Sequence, residues 1–357
     1  MSILLYNLIM NQELLNRLTK IEDSLNKALS LEFSNEWQNA SFGTLYQAIT
    51  KNYIQNLITP NKNLIDLGGK RWRPLFLILC YEIQSKLNGT KALSEEQTYG
   101  LTPLVEFVHT ASLIHDDIED SADLRRGKPA AHITYGLDTA LNAASWLYFE
   151  APVCINQLDI DDAKKLELYK VYTNELRRLH LGQAMDIFWH RTPSLFPTKE
   201  EYQGMVRCKT GTLASMAAKI GYLAGGASLE EAEKAGETAA NIGMGFQIID
   251  DVINLTSGNP GKKRGDDIVE GKKSLPVLIH LEKCPQDAKE IAGLMEQAAK
   301  EGIDSPAVEK CISLLEKSGC IKDAAEEGRK VISENLAFFN SDLISELFTS
   351  MIPKDFR

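Results

Sequence analysis

Within His115-Asp116-Asp117-Ile118-Glu119-Asp120 the chain gathers four acids in five residues, and Arg125-Arg126-Gly127-Lys128-Pro129 follows at once. Upstream, Leu104, Val105, Val108, Ala111 and Ile114 recur at steps of one, three, three and three, the period of a helix and not of a strand. The acids therefore belong at the C-terminal end of a buried helix. That is an unfavourable place for them, because negative charge there opposes the helix dipole and a carboxylate beneath an apolar run loses hydration. Something positive has to compensate. Asp116 and Asp120, four residues apart, share a helix face, and hard oxygen donors so placed suit Mg²⁺, which bridges protein carboxylates to phosphates while keeping waters of its own. By itself the segment reads equally well as a solvated helix end with ordinary surface acids.

An echo narrows the choice. Gln247-Ile248-Ile249-Asp250-Asp251-Val252-Ile253-Asn254 repeats an Asp-Asp-x-x-(Asp/Asn) pattern at the end of another apolar helix. Two such segments facing each other across a cavity would bind metal from both sides. The bases are present too: Gly68-Gly69-Lys70-Arg71-Trp72-Arg73-Pro74 upstream, then Lys209-Thr210 and Lys262. The paired glycines let backbone approach an anion closely, and the helix predicted to follow, Leu75 to Ile83 with Pro74 in its first turn, favours negative charge at its start. A basic surface loop is the plain alternative. His109 precedes Asp116 by seven residues, about 20° off the same helical line and about 10 Å lower. It looks into the same cavity or is a packed, hydrogen-bonded core histidine.

Composition removes other classes. Apolar residues at 44% and charged residues at 25% are ordinary for a folded chain. A net charge of −10 argues against nucleic acid and against anionic membranes as partners. The six cysteines lack Cys-x-x-Cys spacing, so neither a zinc site nor a disulfide framework is indicated, and they read as reduced thiols of a cytoplasmic protein. Met1 to Met10 is apolar but too short to span a bilayer, and no integral membrane segment is expected.

Along the chain, Leu14, Leu15, Leu18, Ile21 and Leu25 mark a first helical face, and Tyr46 to Ile58 a second helix that Pro60 and Asn61 should break. Residues 138 to 158 form a small-residue helix, a core wall or subunit contact. Glu175 to Trp189 sets His180, Gln183 and Asp186 on one face. Leu213 to Gly226 reads as a central helix, Gly258 to Asp267 as a charged loop or lid, and Ala307 to Glu316 and Ile321 to Phe339 as amphipathic helices. No hairpin, repeat or linker signal is present. The expectation is one all-α domain over residues 1–357, a single large helical bundle around a central cavity, with residues 1–40 as an N-terminal helical extension.

From about Gly68 to Pro276 the ordered motifs resemble those of the trans-prenyltransferases, the head-to-tail isoprenyl diphosphate synthases. The resemblance implies an isoprenoid synthase-like fold and Mg²⁺-dependent condensation of isopentenyl diphosphate with an allylic diphosphate. It also implies three ions with substrate bound, and a homodimer. It makes Asp116, Asp117 and Asp120 the first metal motif, and Asp250 and Asp251 the second, with Asp250 as the metal ligand there. Asn254 ends that second motif where many members have Asp, and it still offers an oxygen. Lys70, Arg73, His109 and Arg126 would hold isopentenyl diphosphate. Arg125, Lys209, Thr210, Gln247, Lys262 and Lys272 would hold the allylic substrate or close over it, with Lys209 also grouped with the catalytic acids. The released diphosphate would take the proton. Ala111 and Ser112 below Asp116 are small, which implies an open shaft. Tyr148, Phe149 and His180 resemble the floor of eukaryotic-type geranylgeranyl diphosphate synthases, so a twenty-carbon product is expected, unless all three are simply core. Synthases of fifteen-carbon or of longer products, a class I terpene cyclase and a non-catalytic regulatory subunit are the alternatives. The cyclase needs only one diphosphate site, and the regulatory subunit would be expected to lack an acidic motif.

Overall fold

Helices account for nearly all of the computed structural model, which describes residues 12–258 and 263–353 and meets the all-α expectation. The apolar stretch Met1 to Met10 and the candidate ligand Lys262 lie outside the described residues. Strand among the described residues amounts to one antiparallel ladder, Leu124–Arg125 against Lys128–Pro129. No described helix is long and apolar enough to cross a membrane. The chain divides into two compact units, one drawn from residues up to Asn174 together with Met216–Lys234, the other from Glu175–Ser215 together with residues from Ala235 on.

In the first unit the helix Pro103–Glu119 carries the apolar period seen in the sequence. Leu104, Val105, Val108, Ala111 and Ile114 are all inaccessible to solvent. Each of the four larger side chains contributes roughly 1.5–3 kcal/mol by leaving water, and Ala111 less. The helix packs on Leu137–Glu150, where Ala140, Ala143 and Ala144 are fully buried and let the two backbones come close. Lys51–Asp66 packs on that same helix.

Pro60 does not end its helix, which continues to Asp66. Tertiary contacts override the breaker. Pro60, Asn61, Leu64 and Ile65 are buried, and the Asn61 amide donates both to Leu57 O at 2.9 Å and to Ala143 O at 2.8 Å, tying the helix across to its neighbour. The first described helix, Gln12–Ala28, buries Leu14, Ile21 and Leu25 as its period predicts. It is fastened to this unit by the Arg17–Glu82 ion pair at 2.7 Å and by Ser24 Oγ donating to Tyr99 O.

The second unit has its own core. Ile248, Val252 and Leu255 of the helix Leu229–Thr256 pack with Leu275 and Leu278, with Ile291 and Met295, and with Ile312 and Leu315. Those residues come from the helices Leu275–Lys283, Ala288–Glu301 and Pro306–Ser318, and Cys320–Leu336 closes on the first of them. The helix Asp162–His190 begins well upstream of the predicted Glu175; its first turn, Asp162 to Lys165, is polar, and Leu168, Val171 and Tyr172 after it are buried at helical spacing.

Candidate active site

Lys70 and Arg73 flank the start of the helix Trp72–Asn88, and Arg71 is the residue before it, in the left-handed conformation at φ 47°. Arg71 turns inward. It is 5% exposed and bonds Glu22 at 2.7 Å, Glu106 at 2.6 Å and Ile65 O at 2.6 Å, so it anchors the turn and leaves its two basic neighbours for other work. Lys70 is exposed. Arg73 lies with its guanidinium 4.4 Å from the Trp72 ring and 3.4 Å from His109 Nε2.

The surroundings of Arg73 are cationic. Burial, with Arg126 close by, pushes its pKa down to about 10, and its Nε is buried without a hydrogen-bond partner. Burial and the nearby Arg73, Arg126, Arg71 and Arg125 hold His109 well below its ordinary value, so it is neutral at pH 7. Arg126 donates to Leu64 O at 3.3 Å, and its guanidinium lies close over Gly69, where a Cβ would stand 3.1 Å from it. Like charges gathered this closely repel one another, and a multivalent anion would relieve them.

The acids of the first motif separate by face. Asp116 and Asp120 are half-buried on one side of the helix end, with Asp120 as its cap. Asp117, about 100° round the helix from Asp116, is 1% exposed and accepts from Arg125 Nε at 2.9 and 3.1 Å. The Asp117 carboxylate, expected among the metal ligands, is engaged here by Arg125, and Arg125, expected on the allylic diphosphate, is oriented by it. The short ladder Leu124–Arg125 with Lys128–Pro129 returns Arg125 to the helix end, through a turn with Arg126 at φ 53° and Gly127 at φ 75°.

In the second unit Asp250 is exposed on the helix Leu229–Thr256 and Asp251 is buried. Asp251 accepts from Tyr202 OH at 2.6 Å, Gln247 Nε2 at 3.0 Å and the Leu275 N–H at 3.2 Å. Burial, with Asp267 nearby, pushes its pKa up to about 7. Gln247 also accepts from Thr210 Oγ1 at 2.9 Å, so Thr210, Gln247 and Asp251 form one chain of hydrogen bonds. Asn254 is fully buried, with its Oδ1 3.3 Å from the Asp267 N–H and its backbone oxygen on Gly265 N. It braces the loop that follows and offers no exposed oxygen to a metal.

Lys209 and Thr210 sit in a π-helical turn, Arg207–Gly211, an irregularity frequent at functional sites. The turn needs close backbone contact, since a Cβ on Gly182 would stand 2.3 Å from Lys209 N. Lys209 pairs with Asp186 at 2.5 Å. Burial alone would raise Asp186, but Lys209 and Lys272 outweigh it and hold the carboxyl below its usual range. Lys272 also meets Glu270 and stands 3.7 Å from Asp267. On the polar helix face that Asp186 shares with His180 and Gln183, Asp186 alone is buried, beside Lys209.

The residues expected to set product length divide as well. Ala111 and Tyr148 are buried and Ser112 is half-buried, while the Tyr148 ring stacks on His115 with centroids 5.4 Å apart. Phe149 is 77% exposed and His180 is exposed, so neither floors an interior space within its own unit. The reason is geometric: consecutive helical residues point about 100° apart, and the helix buries the face of Ala140, Ala144, Leu147 and Tyr148.

An all-helical chain with two acid-rich helix segments and a partly buried cluster of cations is built to handle metal ions and polyanions. A sequence model of the polyprenyl synthetase family matches residues 54–315, and the chain belongs to that family. It is 33% identical over 273 residues to the short chain isoprenyl diphosphate synthase of Methanocaldococcus jannaschii, covering 75% of this chain and 80% of that one. It is 38% identical over 232 residues to the geranylgeranyl diphosphate synthase of Methanosarcina mazei, covering 64% and 68%. The crystal structure of geranylgeranyl pyrophosphate synthetase from Pyrococcus horikoshii aligns with a TM-score of 0.76 at 26% identity, over 94% of this chain and 95% of that one.

Proposed function

We propose that the protein is a prenyltransferase that joins isopentenyl diphosphate to an allylic diphosphate head to tail and releases a linear trans-prenyl diphosphate of twenty carbons. The observation that carries this reading is the cluster of Arg73, His109 and Arg126, with Arg73 Nε buried and unpartnered. It gives the first unit an anion site in addition to its acids. A cyclase acting on one diphosphate has no use for it.

Asp116 and Asp120 fit a hard cation: two half-buried carboxylates on one helix face, at the end of the helix Pro103–Glu119. Asp250, exposed in the second motif, fits the same role. Mg²⁺ bound there would neutralise charge developing on a departing diphosphate. Lys209, Lys272 and the Thr210–Gln247 pair orient the allylic diphosphate, and Arg125, held by Asp117, adds a fixed cation. Lys70, Arg73, His109 and Arg126 hold isopentenyl diphosphate so that its double bond meets the allylic carbon, a gain of orientation more than of acid–base power. The proton lost at the end passes to the diphosphate that has left, so no protein base is required. Lys262 completes the allylic contacts by the family resemblance alone.

We further place the chain in the cytoplasm, as its free cysteines favour, and read it as a homodimer. Leu137, Leu141 and Phe149 form one exposed ridge at steps of four and eight residues, and a second copy is its proposed cover. Phe149 is then a contact or a wall contributed to the partner.

Product analysis tests the reading. The purified chain is given Mg²⁺, labelled isopentenyl diphosphate and, separately, five-, ten- and fifteen-carbon allylic diphosphates. A dominant linear twenty-carbon diphosphate is expected. Other linear lengths would retain the reaction and reject the product assignment. Cyclic hydrocarbon formed without isopentenyl diphosphate, or activity only after a second chain is added, would overturn the reaction itself.

A further inference from the structure

His280 lies on the helix Leu275–Lys283 and is 2% exposed. Its Nδ1 is 3.0 Å from Ser318 Oγ, and that hydroxyl donates its one hydrogen to Leu315 O at 2.9 Å. Ser318 therefore accepts from an Nδ1–H, which leaves a lone pair on Nε2 of the neutral ring. Nε2 is buried with no hydrogen-bond donor to serve it and stands 3.2 Å from Asp287 Oδ2. A lone pair facing a carboxylate at that distance is repulsive unless a cation lies between them.

Two successive turns bring in a third donor. Cys284 N donates to His280 O at 2.7 Å, and Asp287 N donates to Cys284 O at 3.0 Å. Donor atoms of His280, Cys284 and Asp287 consequently fall within 4.8 Å of one another. Bond lengths to tetrahedral zinc put neighbouring ligand atoms roughly 3.3–3.8 Å apart, so the His280–Asp287 pair at 3.2 Å is already in range and the widest separation would close by at most about 1–1.5 Å. Imidazole, thiolate and carboxylate together favour a borderline-soft cation over Mg²⁺.

We propose that His280, Cys284 and Asp287 bind one divalent cation of the zinc type, with water as a fourth ligand. The Nδ1–H bond to Ser318 orients the ring and sets its tautomer, as outer hydrogen bonds do for metal-bound histidines. The cation would clip the end of one helix to the turn Pro285–Asp287. None of the three residues takes part in the condensation, so the site is structural. Binding displaces the Cys284 thiol proton to solvent, and affinity should rise with pH.

Cobalt spectroscopy on the metal-stripped full-length protein, with Mg²⁺ in excess to occupy the acid-rich motifs, tests this directly. The expected result is one cobalt per chain, with a thiolate-to-cobalt charge-transfer band that zinc abolishes. Cys284→Ser should lose the band, and Asp287→Asn should weaken binding about tenfold or more. Zinc should raise the unfolding temperature of the wild type and not that of Cys284→Ser. Absence of the band in the wild type, or zinc stoichiometry unchanged in Cys284→Ser, would overturn the proposal and make the intervening cation a proton. The wild-type spectrum decides even if a variant fails to fold.

Discussion

The two acidic motifs are nearly the same in letters and differ in construction. In each, the first aspartate reaches solvent and the second is buried. The buried member of the first motif, Asp117, is neutralised by a cation, Arg125. Its counterpart, Asp251, has uncharged donors among the described residues, from Tyr202, Gln247 and Leu275, and its pKa rises to about 7. The third positions diverge further: Asp120 caps a helix at the surface, while Asn254 is wholly inside and braces a loop. A repeated acidic pattern thus contains two environments, outer carboxylates that reach solvent, for which we propose the metal role, and inner ones bonded within the scaffold. The inner ones are stabilised by different means.

The largest effect should come from an outer acid. Asp116→Ala is expected to lower condensation by about a thousandfold while leaving the urea midpoint unchanged. A large loss of stability instead would erase the distinction between outer and inner positions. Asp117→Asn should do the reverse, costing about 3 kcal/mol in urea unfolding because Arg125 would be left without its counter-charge.

Glu150 extends the comparison to an acid outside the motifs. It is 5% exposed, bonded by Ser41 Oγ at 2.7 Å and raised by burial to about 7. Like Asp251 it binds its proton more tightly folded than unfolded. Both contributions to stability are therefore full below the unfolded carboxyl pKa and lost as pH rises through about 7. Glu150→Gln should flatten that decline, adding on the order of 2 kcal/mol at pH 8 and little at pH 4. An unchanged pH profile of unfolding would show that burial is not what raises Glu150. Asp251→Asn should have the smallest effect, about 1 kcal/mol, since turning an acceptor into a donor against Tyr202 or Gln247 is offset by removing a buried carboxylate.

Much of this was open to inspection in the sequence, and what was hidden has physical causes. The apolar period from Leu104 to Ile114 located the first motif because burial writes itself into a helical repeat. Pro60 misled because Asn61 and buried neighbours hold its helix together across a contact that local sequence does not display. Asp116 and Asp117 are chemically identical, and only their angular position on the helix tells them apart. Arg125 lay eight residues from its partner and was visible as a base but not as a partner. Tyr202, which bonds Asp251 from 49 residues away, gave no signal at all. Tyr148 and Phe149 are neighbours in sequence, and only the helical rotation between them buries one and exposes the other.

The central claim is that outer acids act on the chemistry and inner acids on the fold. Its most direct test is the condensation rate of Asp250→Ala, measured with Mg²⁺, isopentenyl diphosphate and a fifteen-carbon allylic diphosphate, with thermal unfolding followed on the same sample. The account expects a rate reduced about a thousandfold with an unfolding temperature equal to the wild type. A rate near wild type in a folded Asp250→Ala protein would contradict it.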